Sequence, residues 1–93
     1  MNIKDKEKLI KINRATELNI ILVQNMIDTL EKKIEIKEDR LDAYESKLEL
    51  TEKQEDAMDK LQDEIDEMRD SIDNLEEVVS SLEDLSSTIN CLI

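Results

Sequence analysis

The sequence predicts an all-α protein built as a coiled coil. Three observations carry this. The chain has 93 residues with no Gly and no Pro, so natural turn signals are scarce. Charged residues make up 41%, while Phe and Trp are absent and Tyr occurs once, so there is little bulk for a globular core. Apolar residues recur at alternating steps of four and three, the spacing that puts one seam along a helix and leaves it to be buried by a second helix.

Residues 1–14 are expected to be a basic, fraying helical start. Lys4, Lys6, Lys8, Lys11 and Arg14 dominate it, and its apolar residues do not settle on one tight stripe. A nucleic-acid or membrane arm is disfavoured, because Asp5 and Glu7 offset the cations and no aromatic is present.

The first heptad seam spans 15–58. Its a positions are Ile20, Ile27, Ile34, Leu41 and Leu48, continuing back to Asn13 and forward to Glu55. Its d positions are Thr16, Val23, Leu30, Lys37, Tyr44, Thr51 and Met58. Lys37, Thr51 and Glu55 interrupt it, so residues 37–58 should be the looser stretch, and replacing Lys37 by Leu should tighten it. A buried Asn13 pair would fix register between two chains, but an Asn on a frayed helix end is the favoured reading.

The second seam, 59–93, is cleaner and lies in another register. Ile65, Ile72, Val79, Ser86 and Ile93 take a; Leu61, Met68, Leu75, Leu82 and Ile89 take d. The shift falls near residues 55–61, where a three-three spacing reads as a stammer. The expectation is therefore one structural unit: a long, nearly continuous helix forming a parallel two-stranded coiled coil. β-branched a residues with Leu at d favour that state. So do the attractive interchain pairs it would make, Lys33 with Glu38, Arg40 with Glu45, Lys47 with Glu52 and Glu64 with Arg69.

The alternatives are a helical hairpin turning near residues 50–57 and a higher-order helical bundle. The hairpin has its own signal, because Thr51-Glu52-Lys53-Gln54 fits a capping box. Its charges are mixed: it brings Arg40 to Glu64 and Glu38 to Arg69, but sets Glu31 against Glu76.

Net charge is −12 and unevenly spread. Residues 1–37 hold eight Lys/Arg against six Asp/Glu, and residues 38–93 hold five against nineteen. An acidic chain repels nucleic acid, so no direct nucleic-acid binding is expected, and basic partners are favoured. The longest apolar run, Ile20–Val23, is far short of a membrane span. With one cysteine, Cys91, there is no disulfide framework, and an intracellular, soluble, cytoplasmic protein is expected. The usage heavy in Ile, Lys, Asp and Glu suits an AT-rich genome, some viral ones included.

An enzyme is not expected. There is no His and no Gly-rich loop. Asp63, Asp66, Asp70 and Asp73 share one side but lack the Gly-centred turn of a calcium loop, so no metal and no cofactor is implied. What the seams leave over is more informative. Leu18, Ile21, Leu22 and Met26 lie outside the first seam, and Val78, Leu85 and Leu92 sit at g of the second. Apolar residues outside a satisfied seam mark docking surfaces.

The functional expectation is a non-catalytic oligomerisation or adaptor protein. It pairs with itself through the seams and docks another, helical protein through the outer residues. The alternatives are an acidic nucleic-acid mimic that inhibits a basic nucleic-acid-handling protein, and an assembly chaperone or scaffold.

Overall fold

The computed structural model describes residues 1–93 and contains two helices, α1 (Ile3–Glu45) and α2 (Glu52–Leu92), with no strand. The fold is all-α, as the periodicity requires. The helix expected to run on through residue 58 is interrupted at 46–51, close to the turn of the hairpin alternative.

Local chemistry explains where the helices begin and where the first one ends. Asn2 caps α1: its Oδ1 accepts a hydrogen bond from the Asp5 amide at 2.8 Å. At the other end of α1 the ladder tightens. The Lys47 amide donates to the Tyr44 carbonyl at 3.1 Å, and the Ser46 hydroxyl to the Ala43 carbonyl at 2.9 Å. These bonds occupy carbonyls the helix leaves without partners. No residue takes a positive φ, so the turn forms without the left-handed cap that glycine usually supplies.

Thr51 then starts α2 with a reciprocal capping box. Its hydroxyl accepts from the Gln54 amide at 3.2 Å, and Gln54 Oε1 accepts from the Thr51 amide at 3.0 Å. Glu52 and Glu55 add negative charge where the helix dipole favours it. Ser46-Lys47-Leu48-Glu49 and Ser80-Ser81-Leu82-Glu83 fit the same pattern, but the Thr51 box is the one that operates. Ser46 bonds backwards instead, and Ser80 lies inside α2.

The chain divides into two compact units, and both helices contribute to each. Unit 2, Asp28–Asp73, contains the turn and folds its helix segments antiparallel. Its buried residues are Leu30 and Ile34 on α1 and Ile65 and Ile72 on α2. Leu41, Tyr44, Met58, Leu61 and Met68 are half-buried around them. Unit 1, Met1–Ile27 with Asn74–Ile93, pairs the start of α1 with the end of α2. It buries Ile27, Val79 and Ile89, with Ile20, Val23, Leu75 and Leu82 half-buried.

The residues expected to join two chains thus face each other within one chain. The exception is Leu48, which projects from the turn fully exposed. It was read as an a position of the first seam, but that seam stops at Glu45. Folded back at this turn, the chain brings the two seams together. A large apolar side chain fully buried contributes about 1.5–3 kcal/mol, which outweighs the few helical hydrogen bonds lost in six turn residues.

Candidate functional site

Three features of the structure bear on function: a polar layer in unit 1, a charged groove in unit 2, and apolar faces left outside the seams of unit 1.

The polar layer gathers the exceptions of both seams. Asn13 and Ser86, each at an a position, meet directly, the Ser86 hydroxyl donating to Asn13 Oδ1 at 2.8 Å. Asn13 Nδ2 reaches Asn90 Oδ1 at 3.4 Å and Glu17 Oε1 at 3.3 Å. Thr16, one turn along, is 4% exposed, and its hydroxyl donates to the Ile12 carbonyl at 2.8 Å. No buried side-chain polar atom lacks a hydrogen-bond partner. Asn13, expected on a frayed helix end or else as a register device between chains, meets Ser86 and Asn90 of its own chain.

Unit 2 handles its exception with charge. Lys37, the cation at a d position, reaches Glu64 Oε2 at 2.5 Å with only 20% of its side chain exposed. Glu38 and Arg69 form a second, more exposed ion pair. These pairs replace the g–e pairs of the parallel arrangement, which used Glu38 with Lys33 and Arg69 with Glu64. The hydrogen bond from Lys37 holds the Glu64 carboxyl below its ordinary range. Partial burial opposes that shift, and the charges of Lys37, Lys60 and Arg40 reinforce it.

Beside this pair lies an open groove of about 480 Å³, lined by Arg40, Ala43, Tyr44, Lys47, Ala57, Lys60, Leu61 and Glu64. Ala43 and Ala57 leave the room, and Lys47 lies over the Tyr44 ring, 5.2 Å from its centroid. Sequence reading placed Tyr44 and Leu61 in the seam and missed the groove. Its signal was the pair of alanines flanked by Arg40, Lys47 and Lys60. The groove carries the cations Arg40, Lys47 and Lys60 beside Glu64, and no group of three or more His, Cys, Asp or Glu is placed to hold a metal ion.

The outer residues singled out for docking are all at the surface and all in unit 1: Leu18, Ile21, Leu22, Met26, Val78 and Leu85. Each is 42–56% exposed, while the seam beside it is covered. The contacts of Asn13 with both Glu17 and Asn90 put the e positions of the two helices on one side of unit 1. In an antiparallel pair the g positions then flank the opposite side. That side carries Ile12, the polar Asn19 and Met26 from α1 and Val78, Leu85 and Leu92 from α2, with Leu22 next to Met26 around the helix. Leu18 adjoins this strip, and Ile21 lies toward the e side. Ile12 and Leu92 belong to the strip as well; the spacing of Ile12 and Met26 by two heptads was the signal for the former.

Cys91 is an exposed free thiol at the end of α2. No helix is long and apolar enough to cross a membrane. No family model matches the sequence, and no curated protein or solved structure proved similar to it.

Proposed function

We propose that this chain is a non-catalytic oligomerisation and adaptor protein that docks partner helices through its apolar outer faces, as a soluble protein of the cell interior. The observation that carries the reading is the exposure of Leu18, Ile21, Leu22, Met26, Val78 and Leu85 beside seams that are already covered. On the rest of the surface, Asp and Glu dominate and keep the protein soluble. A helix laid on these residues would gain about 1.5–3 kcal/mol for each large side chain it fully buries.

The acidic surface supports a second reading, the nucleic-acid mimic, because Asp63, Asp66, Asp70 and Asp73 are all exposed. A scaffold or assembly-chaperone role would use the same apolar faces as the adaptor. The experiment compares two variants in capture of partners from the source cells, at low and high salt. One replaces Leu18, Ile21 and Leu22 by Glu, Lys and Gln; the other replaces the four aspartates by Asn. The adaptor reading expects the first to lose capture with its helix content intact, and the second to keep it at both salt levels. The reverse pattern would overturn it in favour of the mimic.

A further inference from the structure

We propose that two copies of this chain exchange helices at high concentration: residues 46–51 straighten into helix, and each α1 packs on α2 of the other copy in the antiparallel pairing now made within one chain. This rests on the oligomerisation half of the reading above and names its mode; the docking of other helices does not depend on it.

The turn is built from helix formers. Lys47, Leu48, Glu49 and Leu50 all favour helix. Neither Gly nor Pro fixes the bend, and no residue takes a positive φ. Helical bonding reaches the turn from both sides: the Ser46 amide donates to the Asp42 carbonyl at 3.0 Å, and the Glu55 amide to the Thr51 carbonyl at 3.0 Å.

The seam also runs through the turn, which a hairpin does not require. Tyr44, Leu48, Thr51, Gln54 and Met58 follow at steps of four, three, three and four. The steps are symmetric about Thr51. Tyr44 and Met58 lie seven residues on either side of it, Leu41 and Leu61 ten, Ile34 and Met68 seventeen, and all six are buried or half-buried. Two continuous antiparallel helices related by a two-fold axis need a seam of this symmetry, with the axis at Thr51. In the single chain Gln54 is half-buried, while Leu48, its mirror position, is fully exposed. Exchange lays Leu48 over Gln54 of the second copy and so covers the one apolar residue of the first seam that the hairpin leaves in water.

The contacts between the helices are kept. Asn13 meets Ser86 and Lys37 meets Glu64 as before, now of the other copy, and the helical hydrogen bonds missing from the turn are restored. What is given up is the Thr51 capping box and the Ser46 bond to Ala43. Exchange of an element that already packs on its own chain needs no new surface, which makes it a low-cost route to a dimer. One repulsion opposes it. Glu38 and Arg69 pair on the e side, and the same pairing carried to the crossing puts Glu52 of each copy beside Glu55 of the other. Salt should therefore favour the dimer, and dilution the hairpin.

The test uses the full chain. Light scattering at high micromolar concentration and high salt should give twice the 10.9 kDa of one chain, falling to one chain on dilution. Leu48→Asn with Glu49→Gly supplies turn residues and should hold the mass at one chain, with helical circular dichroism nearly unchanged. A cross-link reads the exchange directly. Asn13→Cys with Ser86→Cys and Cys91→Ser, oxidised mildly in the dimer, should run as a covalent pair on a denaturing gel, whereas Asn13→Cys with Cys91→Ser should not. A wild-type monomer throughout, or a dimer that survives Leu48→Asn with Glu49→Gly, would overturn the exchange. So would a disulfide closed within one chain of the dimer, or a covalent pair formed through Asn13→Cys without Ser86→Cys. None of these outcomes touches the docking reading, which stands or falls on partner capture.

Discussion

Unit 1 and unit 2 solve the same problem by different chemistry. Each pairs two helix segments whose seams contain polar residues. Unit 1 places neutral groups together, Asn13 against Ser86, with Thr16 satisfied by its own helix. Unit 2 places opposite charges together, Lys37 against Glu64 and Glu38 against Arg69. The outer surfaces differ in the same sense. Unit 1 carries the apolar strip, and unit 2 carries the groove edged by Arg40, Lys47 and Lys60. Neutral hydrogen bonds keep their partners across pH and salt, whereas ion pairs on a partly exposed surface are screened and titrate. The ion pairs between the helix segments are found in unit 2, and the surface suited to docking in unit 1.

The largest way to break this comparison is to empty the core of one unit. Ile65 is 1% exposed, the most deeply buried side chain in either unit. Ile65→Ala should cost about 2–5 kcal/mol in urea unfolding. The matching Ile89→Ala in unit 1 should fall in the same range of about 2–5 kcal/mol, since Ile89 is 2% exposed. A loss below 1 kcal/mol at either site would show that its seam is not the core described here.

Next in size is the polar layer. Asn13→Ala leaves the part-buried Ser86 hydroxyl without its acceptor and should destabilise by about 0.5–1.5 kcal/mol. Replacing both residues by apolar ones, Asn13→Ile with Ser86→Val, should recover most of that loss. The double variant should also loosen register, because an apolar layer fits more than one alignment. Amide exchange around residues 12–20 and 82–90 would report the loosening, and unchanged protection would deny the layer its register role.

The cap comes third. Thr51→Ala removes one half of the reciprocal box and should cost about 1 kcal/mol. Leu48→Ser, a few residues away on the exposed turn, should change stability by no more than about 0.5 kcal/mol. The pair distinguishes a turn from a continuous helical seam, in which Leu48 would be the costlier loss.

The smallest effect sharpens the contrast between units. The Glu64 carboxyl is held below its ordinary range by Lys37. Its contribution to stability is therefore present above the unfolded glutamate value of about 4.3 and is lost as pH falls through the lowered folded value. Lys37→Leu should flatten that part of the acid limb of stability against pH. It should not simply tighten the seam, because it leaves Glu64 without its partner. Asn13→Ala should leave the slope of the same limb unchanged.

How much of this was legible beforehand follows from where the information lies. Helix is a local property, and the absence of Gly and Pro with the four-three spacing announces it. The residues that line each seam follow from the same periodicity, and from Leu9 to Tyr44 and Met58 to Ile89 the buried and half-buried positions are those at a and d, with Lys37 among them, joined by Glu38 and Glu64 beside the ion pairs. The exposed apolar residues are the remainder of that pattern, so they were legible too. Even the cap at Thr51 was written in the sequence, though the same pattern at Ser46 and Ser80 made it one candidate among three.

The choice of what each seam meets was left to tertiary structure. Pairing is non-local, and the flanking charges alone favoured a parallel pair of chains, since the antiparallel fold sets Glu31 against Glu76. The deciding residues are the exceptions. Taken one seam at a time, Asn13, Lys37 and Ser86 look like defects in a coiled coil. Set antiparallel, Asn13 meets Ser86 and Lys37 meets Glu64, and each exception becomes a contact. A polar group in a seam costs less with a partner than without one, and in the folded-back chain each of these three has one. Periodicity determined that these helices form and which faces they bury. Only the packed structure, by matching the polar interruptions of one helix to those of the other, decided that they bury them against each other.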